Sequence, residues 1–135
     1  MEFVSFDIAR KLKEKGYPQD KKNTIAMYSG YGEWFSLAKN LDDFEYSFGD
    51  FDEHDYVCPI ISQVLDWFRK EHHLHFEVVG AAYGYNLIIS DTPDKGGTDR
   101  YYSHANDDGP NYAGAWDDYN DCVLYGIEYA LNNLI

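Results

Sequence analysis

Two runs, 74–79 and 83–90, are rich in branched and aromatic residues and flank Gly80-Ala81-Ala82, which predicts a β-hairpin. An isolated hairpin is marginal in water, so this pair has to bury one face against other elements. The neighbouring sequence offers them. Pro59 suits the first turn of a helix, and Ile61, Val64, Leu65 and Phe68 recur at helical spacing before His72-His73, which predicts a helix over 59–71. After the hairpin, Asp117 or Asp118 suits a helix N-terminus. Tyr119, Cys122, Val123, Gly126, Ile127, Ala130, Leu131 and Leu134 then form an apolar stripe that reaches Ile135.

The N-terminal part repeats the theme with shorter pieces. Ser5 can cap a helix running to about Lys15, with Ile8, Ala9 and Leu12 on one face and Gly16 as its stop. Tyr17-Pro18 turns the chain, and 24–28 and 33–37 read as a hairpin about Ser29-Gly30-Tyr31-Gly32. Phe44, Tyr46 and Phe48 alternate with polar residues over 41–48, the period of an edge strand with one side buried. Residues 91–115 are rich in Gly, Asp, Asn and Pro and read as a long loop with a short strand over 100–103. Helix, hairpin, strand, helix, hairpin, short strand, helix is an α+β order. It predicts an antiparallel sheet of about four to six strands with three helices packed mainly on one face. A chain of 135 residues fits one domain, 1–135.

Charge narrows the function classes. The net charge is −13, but residues 1–41 carry seven Lys/Arg against five Asp/Glu, whereas 42–135 carry four against nineteen. No Lys or Arg follows Arg100. Such a surface repels phosphates and anionic lipid, so neither nucleic acid nor a membrane is expected as a partner. The helix-strand-strand-strand-helix order from the second helix to the third also occurs in double-stranded RNA-binding domains, but those need a basic face that this segment lacks. The N-terminus has neither the basic start nor the apolar run of a signal peptide, and two cysteines are too few for a disulfide framework. A cytoplasmic protein with two reduced thiols is the expectation.

Familiar catalytic and cofactor patterns fail one by one. His54, Cys58, His72, His73, His75 and Cys122 include metal-binding residue types, but their spacing fits no structural zinc pattern, so no metal is expected. The acidic run Asp42, Asp43, Glu45, Asp50, Asp52, Glu53 and Asp55 lacks the glycine and terminal glutamate that a calcium loop of the EF type requires in register. No serine stands in a Gly-x-Ser-x-Gly elbow, and no glycine-rich segment has the form of a phosphate loop, so no catalytic residue and no cofactor is assigned.

Three segments carry a resemblance: FVSFDIARKLKEKG from Phe3 to Gly16, ISQVLDWFRKEH from Ile61 to His72, and YGIEYALNNLI from Tyr125 to Ile135. Together they resemble a group of short uncharacterised proteins from Bacteroides-type gut bacteria and from their phages and mobile elements. The matching residues are helix faces. The resemblance implies the setting of a mobile-element accessory protein.

What remains is acid and tyrosine. Asp50, Asp52, Glu53 and Asp55 form one candidate binding segment. Tyr101, Tyr102, Tyr112 and Trp116 form another, because aromatic side chains bury much area at low entropy cost at interfaces, although they can equally pack on the sheet. The leading expectation is a non-enzymatic interaction module that engages a basic protein. The alternative is a small enzyme or ligand-binding protein with a site under the 91–115 loop, using Asp107, Asp108 or Asp117 with His104.

Overall fold

The computed structural model describes residues 2–19, 24–32, 34–37, 53–95, 100–103 and 106–135. Among them the fold is α+β and divides into two compact units, Met1–Ile61 and Ser62–Ile135. The single sheet of four to six strands expected from the sequence is replaced by two antiparallel sheets of three strands each. The strand expected over 41–48 lies outside the described residues.

The first unit opens with helix α1, Phe6–Glu14, where the Ser5 hydroxyl accepts from the Ile8 amide at 3.3 Å. That cap satisfies an amide that the first turn leaves without an intrahelical partner. Ile8, Ala9 and Leu12 are buried on one face, and the helix ends at Lys15 and Gly16, the latter with φ +92°. Strand β1, Ala26–Ser29, pairs with β2, Trp34–Leu37, across the turn at Gly30–Gly32, and with β3, Tyr56–Val57, on its other side. No sequence pattern marked β3, because a two-residue strand has no period. Val4 joins the Cys58 segment: its amide donates to the Pro59 carbonyl at 3.1 Å, and its carbonyl accepts from the Tyr28 hydroxyl at 3.0 Å and the Cys58 thiol at 3.3 Å.

The second unit contains α2, β4, β5, β6 and α3 in that order. Helix α2 is Ile61–His72 and α3 is Tyr119–Asn133, with the Asp118 carboxylate accepting from the Asp121 amide at 3.0 Å as its cap. Strands β4, Leu74–Ala81, and β5, Gly84–Asp91, pair along eight residues, and β6, Arg100–Tyr102, pairs with β5. The register places Leu74, Phe76 and Val78 on the same face as Leu87 and Ile89, the period-2 consequence of the pleat. Both helices pack on that face. The Phe68 ring of α2 lies 5.1 Å from Phe76, and α3 presents Gly126 where any Cβ would meet Leu87 at 2.9 Å. Phe68, Leu87, Ile89, Ile127 and Leu131 are fully buried together with Val64 and Val123.

The hairpin turn sits two residues beyond its expected place. Ala81 pairs with Gly84, so the turn is Ala82-Tyr83, and Gly84 adopts φ +133°. Glycine accepts that angle without steric cost, which pulls the turn toward it. A Cβ at Gly84 would also stand 2.7 Å from the Trp116 carbonyl oxygen.

Candidate functional site

Residues 106–115, the last part of the loop read over 91–115, form a tightly bonded structure together with Trp116 and Asp117. The Asn111 side chain is its hub. Its carbonyl oxygen accepts from the amides of Ala113 and Ala115, each at 2.9 Å, and its NH₂ donates to the Tyr83 carbonyl at 2.8 Å and the Asp117 carboxylate at 3.0 Å. The backbone adds Gly109 N–H to Gly114 O at 3.0 Å and Asn111 N–H to Ala115 O at 3.1 Å. Gly109 is required by closeness, since a Cβ there would come within 2.3 Å of the Ala115 backbone. Trp116 and Tyr85 exchange backbone bonds of 2.7 and 3.0 Å, which fastens the segment to the hairpin end of the sheet.

A second tie runs to β6 and α3. One Asp108 oxygen accepts from the Tyr102 hydroxyl at 2.8 Å and from the Tyr125 hydroxyl at 3.0 Å. Rings surround the pair: Tyr102 lies 4.9 Å from Tyr129, and Trp116 lies 4.9 Å from Tyr125. Burial, and then the Asp108 carboxylate that holds its proton, push the Tyr102 phenol well above its usual range. Tyr125 shifts the same way, again chiefly through burial.

These bonds sort the aromatic residues singled out from the sequence. Tyr102 and Trp116, at 2% and 6% exposure, belong to the core of the second unit. Tyr112 is 94% exposed, and Tyr101 is exposed with its hydroxyl donating to Asp91 at 2.8 Å. Tyr101 is the extra residue of a β-bulge, because Ile89 pairs with Tyr102 and Ser90 with Arg100. Two further exposed tyrosines, Tyr83 and Tyr119, were missed as site residues. Tyr83 had been read as the start of a strand, and the shifted turn places it at the hairpin tip. Tyr119 had been read as part of the buried helix stripe, yet it is half exposed with its ring edge-on to Tyr85 at 5.7 Å. Had Gly84 been read as the turn glycine, Tyr83 would have been found.

The acidic candidates fall in both units. Asp50 and Asp52 lie outside the described residues, as does His104. Glu53 faces His54 at 3.4 Å, and Lys13 donates to the carbonyls of Glu53 at 3.1 Å and Asp55 at 2.9 Å while its ammonium lies 4.7 Å above the Tyr56 ring. In the second unit, Asp108 and Asp117 serve as the structural ties just described, and Asp107, Asp118 and Asp121 are exposed.

The sulfur and imidazole groups have structural surroundings. Cys58 and Cys122 are buried free thiols, and burial pushes them up to about 12 and about 11, so neither is poised as a thiolate nucleophile. His72 packs edge-on against Trp67 at 4.7 Å, and burial lowers its pKa. Among the described residues no three His, Cys, Asp or Glu side chains converge as a metal site, and no helix is long and apolar enough to cross a membrane.

No protein-family model, curated protein or solved structure matches this chain.

Proposed function

We propose that this chain is a non-enzymatic interaction module whose acidic, tyrosine-bearing surface engages a basic protein. The observation that carries this reading is the segment after Arg100, which has no Lys or Arg and whose loop is bonded into a fixed shape with its acids and Tyr112 facing water. A loop whose backbone is already held by hydrogen bonds loses little further backbone entropy on binding, so a pre-formed acidic surface favours a specific contact over a diffuse one. A partner that normally binds nucleic acid has the complementary basic face. A cytoplasmic accessory protein of a mobile element, acting on such a host protein, is the setting that joins this chemistry to the resemblance of the helix segments.

The test is a pair of titrations of the full chain by isothermal calorimetry, one with a basic DNA-binding protein and one with duplex DNA. The basic protein should bind, with affinity falling as salt rises because screening shortens the field to about 8 Å at physiological ionic strength. The duplex should not bind. Tight duplex binding would overturn the proposal, as would turnover of a small substrate that depends on His104 and a loop carboxylate.

A further inference from the structure

The second unit is electrically polarised along its sheet. Its four basic residues, Arg69, Lys70, Lys95 and Arg100, lie toward one end: Arg69 and Lys70 close α2 just before β4 begins, Lys95 follows β5, and Arg100 pairs with Ser90 near the end of β5. Leu74 opposite Asp91 marks that end, and Ala81 opposite Gly84 marks the other. Strands of eight residues separate the two ends by about 25 Å, more than two Debye lengths at physiological salt. The hairpin end holds Tyr83, Tyr112 and Tyr119 in the open, tied together through Asn111 and the Tyr85–Trp116 bridge. Asp117, Asp118 and Asp121 lie beside them, and among the described residues none of these three is paired with Lys or Arg.

The first unit shows the same chemistry already satisfied. There the Asp55-Tyr56 pair has Lys13, whose ammonium caps the Tyr56 ring and bonds the Asp55 carbonyl. At Asp118-Tyr119 no described residue supplies such a cation.

We infer that the exposed tyrosines at the hairpin end of the second unit form a docking surface for arginine side chains of a basic partner. Tyr83, Tyr112 and Tyr119 offer ring faces, and Asp117, Asp118 and Asp121 supply the opposite charge. Arginine fits better than lysine, because a planar guanidinium stacks on an aromatic face while its edge donates in a fork to a carboxylate. The inference rests on the basic-partner reading and names its site and side-chain class.

The experiment compares octa-arginine with octa-lysine, each titrated into the full chain at moderate salt. Octa-arginine should bind more tightly than octa-lysine, by at most about two- to fivefold per ring engaged, the whole strength of an exposed cation–π contact. Tyr112→Ala should lower that preference by one ring's share and Tyr112→Phe should retain it, since the ring face and not the hydroxyl is used. At 94% exposure Tyr112 can be replaced without loss of packing. Trp34→Ala, in the first unit, is the control and should change neither affinity. Equal binding of the two peptides, or an arginine preference undiminished by Tyr112→Ala, overturns the docking surface while leaving the basic-partner reading intact. Failure of both peptides to bind overturns both.

Discussion

In the first unit Lys13 reaches across from α1 to the Tyr56 ring and the Glu53 and Asp55 carbonyls, while in the second unit the uncharged Asn111 amide ties the Tyr83 carbonyl to the Asp117 carboxylate. The two sheets differ in the same sense. Strand β2 of the first sheet exposes Trp34 at 65%, with Phe35 and Leu37 exposed as well. The second sheet has two eight-residue strands sealed on one face by two helices. Short strands close little apolar area, so the first unit depends on aromatic edge contacts, such as Phe6 on Tyr56 at 5.4 Å and on Tyr28 at 5.7 Å. Long strands carry enough core that the second unit can leave its tip polar and charged. Stability and surface chemistry are thus separated within the second unit and interleaved in the first.

Removing the source of the second unit's stability should have the largest effect. Truncation after Tyr125 deletes Ile127, Ala130 and Leu131, all buried. Losing buried aliphatic side chains costs about 2 to 5 kcal/mol each, and two such losses are comparable to the whole stability of a typical domain. Cooperative melting by near-UV circular dichroism should disappear. If hydrogen exchange still finds β4 and β5 strongly protected, the packing of α3 is not what holds the sheet.

Asn111→Ala comes next. It removes four side-chain hydrogen bonds from one residue, and at roughly 0.5 to 1.5 kcal/mol each the expected loss is about 2 to 6 kcal/mol. Hydrogen exchange should show the Ala113 and Ala115 amides opening while the β4 and β5 amides keep their protection. Uniform loss of protection would mean that the tip and the sheet are one cooperative structure.

Alkaline pH should weaken both units through buried thiols and phenols. Cys58 in the first unit is raised from 9.0 to about 12, and Tyr102 in the second is raised above 10.0, in both cases chiefly by burial. A raised pKa contributes stability that is complete below the unfolded value and declines as pH rises past it toward the folded value. The decline therefore starts near pH 9 in both units, through Cys58 in the first and Cys122 in the second, and Tyr102 steepens it in the second from near pH 10. Tyr102→Phe should flatten the fall of the urea midpoint between pH 10 and 11, and Cys58→Ala should flatten it from pH 9. No change in slope in either variant would refute these assignments.

The smallest effect is expected from Lys13→Met, which keeps most of the side-chain bulk and removes the ammonium. Exposed cation–π contacts contribute about 0.5 to 1 kcal/mol and the two bonds to the Glu53 and Asp55 carbonyls roughly 0.5 kcal/mol each, so the first unit should lose about 1.5 to 2 kcal/mol with little salt dependence. A strong salt dependence would mean that Lys13 acts through the surrounding acids and not through the Tyr56 ring.

The amino-acid order alone placed the starts of the first and last helices and most of what the three helices bury. Ser5 and Asp118 cap as their side chains allow, and the 3.6-residue recurrence of Ile8, Leu12, Val64, Phe68, Val123 and Ile127 marks buried faces, because capping and periodicity are local properties. The α+β class followed from that order, and so did the short strand at Arg100–Tyr102. Tertiary structure decided the rest. Whether one sheet or two would form depends on pairings between segments far apart in sequence, and β3 exists only because Tyr56 and Val57 lie beside Met27 and Tyr28. Which tyrosines are core and which are surface was equally undecided. Tyr102 and Tyr112 stand in similar Asp- and Asn-rich surroundings, yet one is sealed under Asp108 and α3 while the other stands in water. The physical reason is that a tyrosine has an apolar body and a polar tip, so either environment suits it, and only a partner for its hydroxyl at the right distance makes burial the better choice.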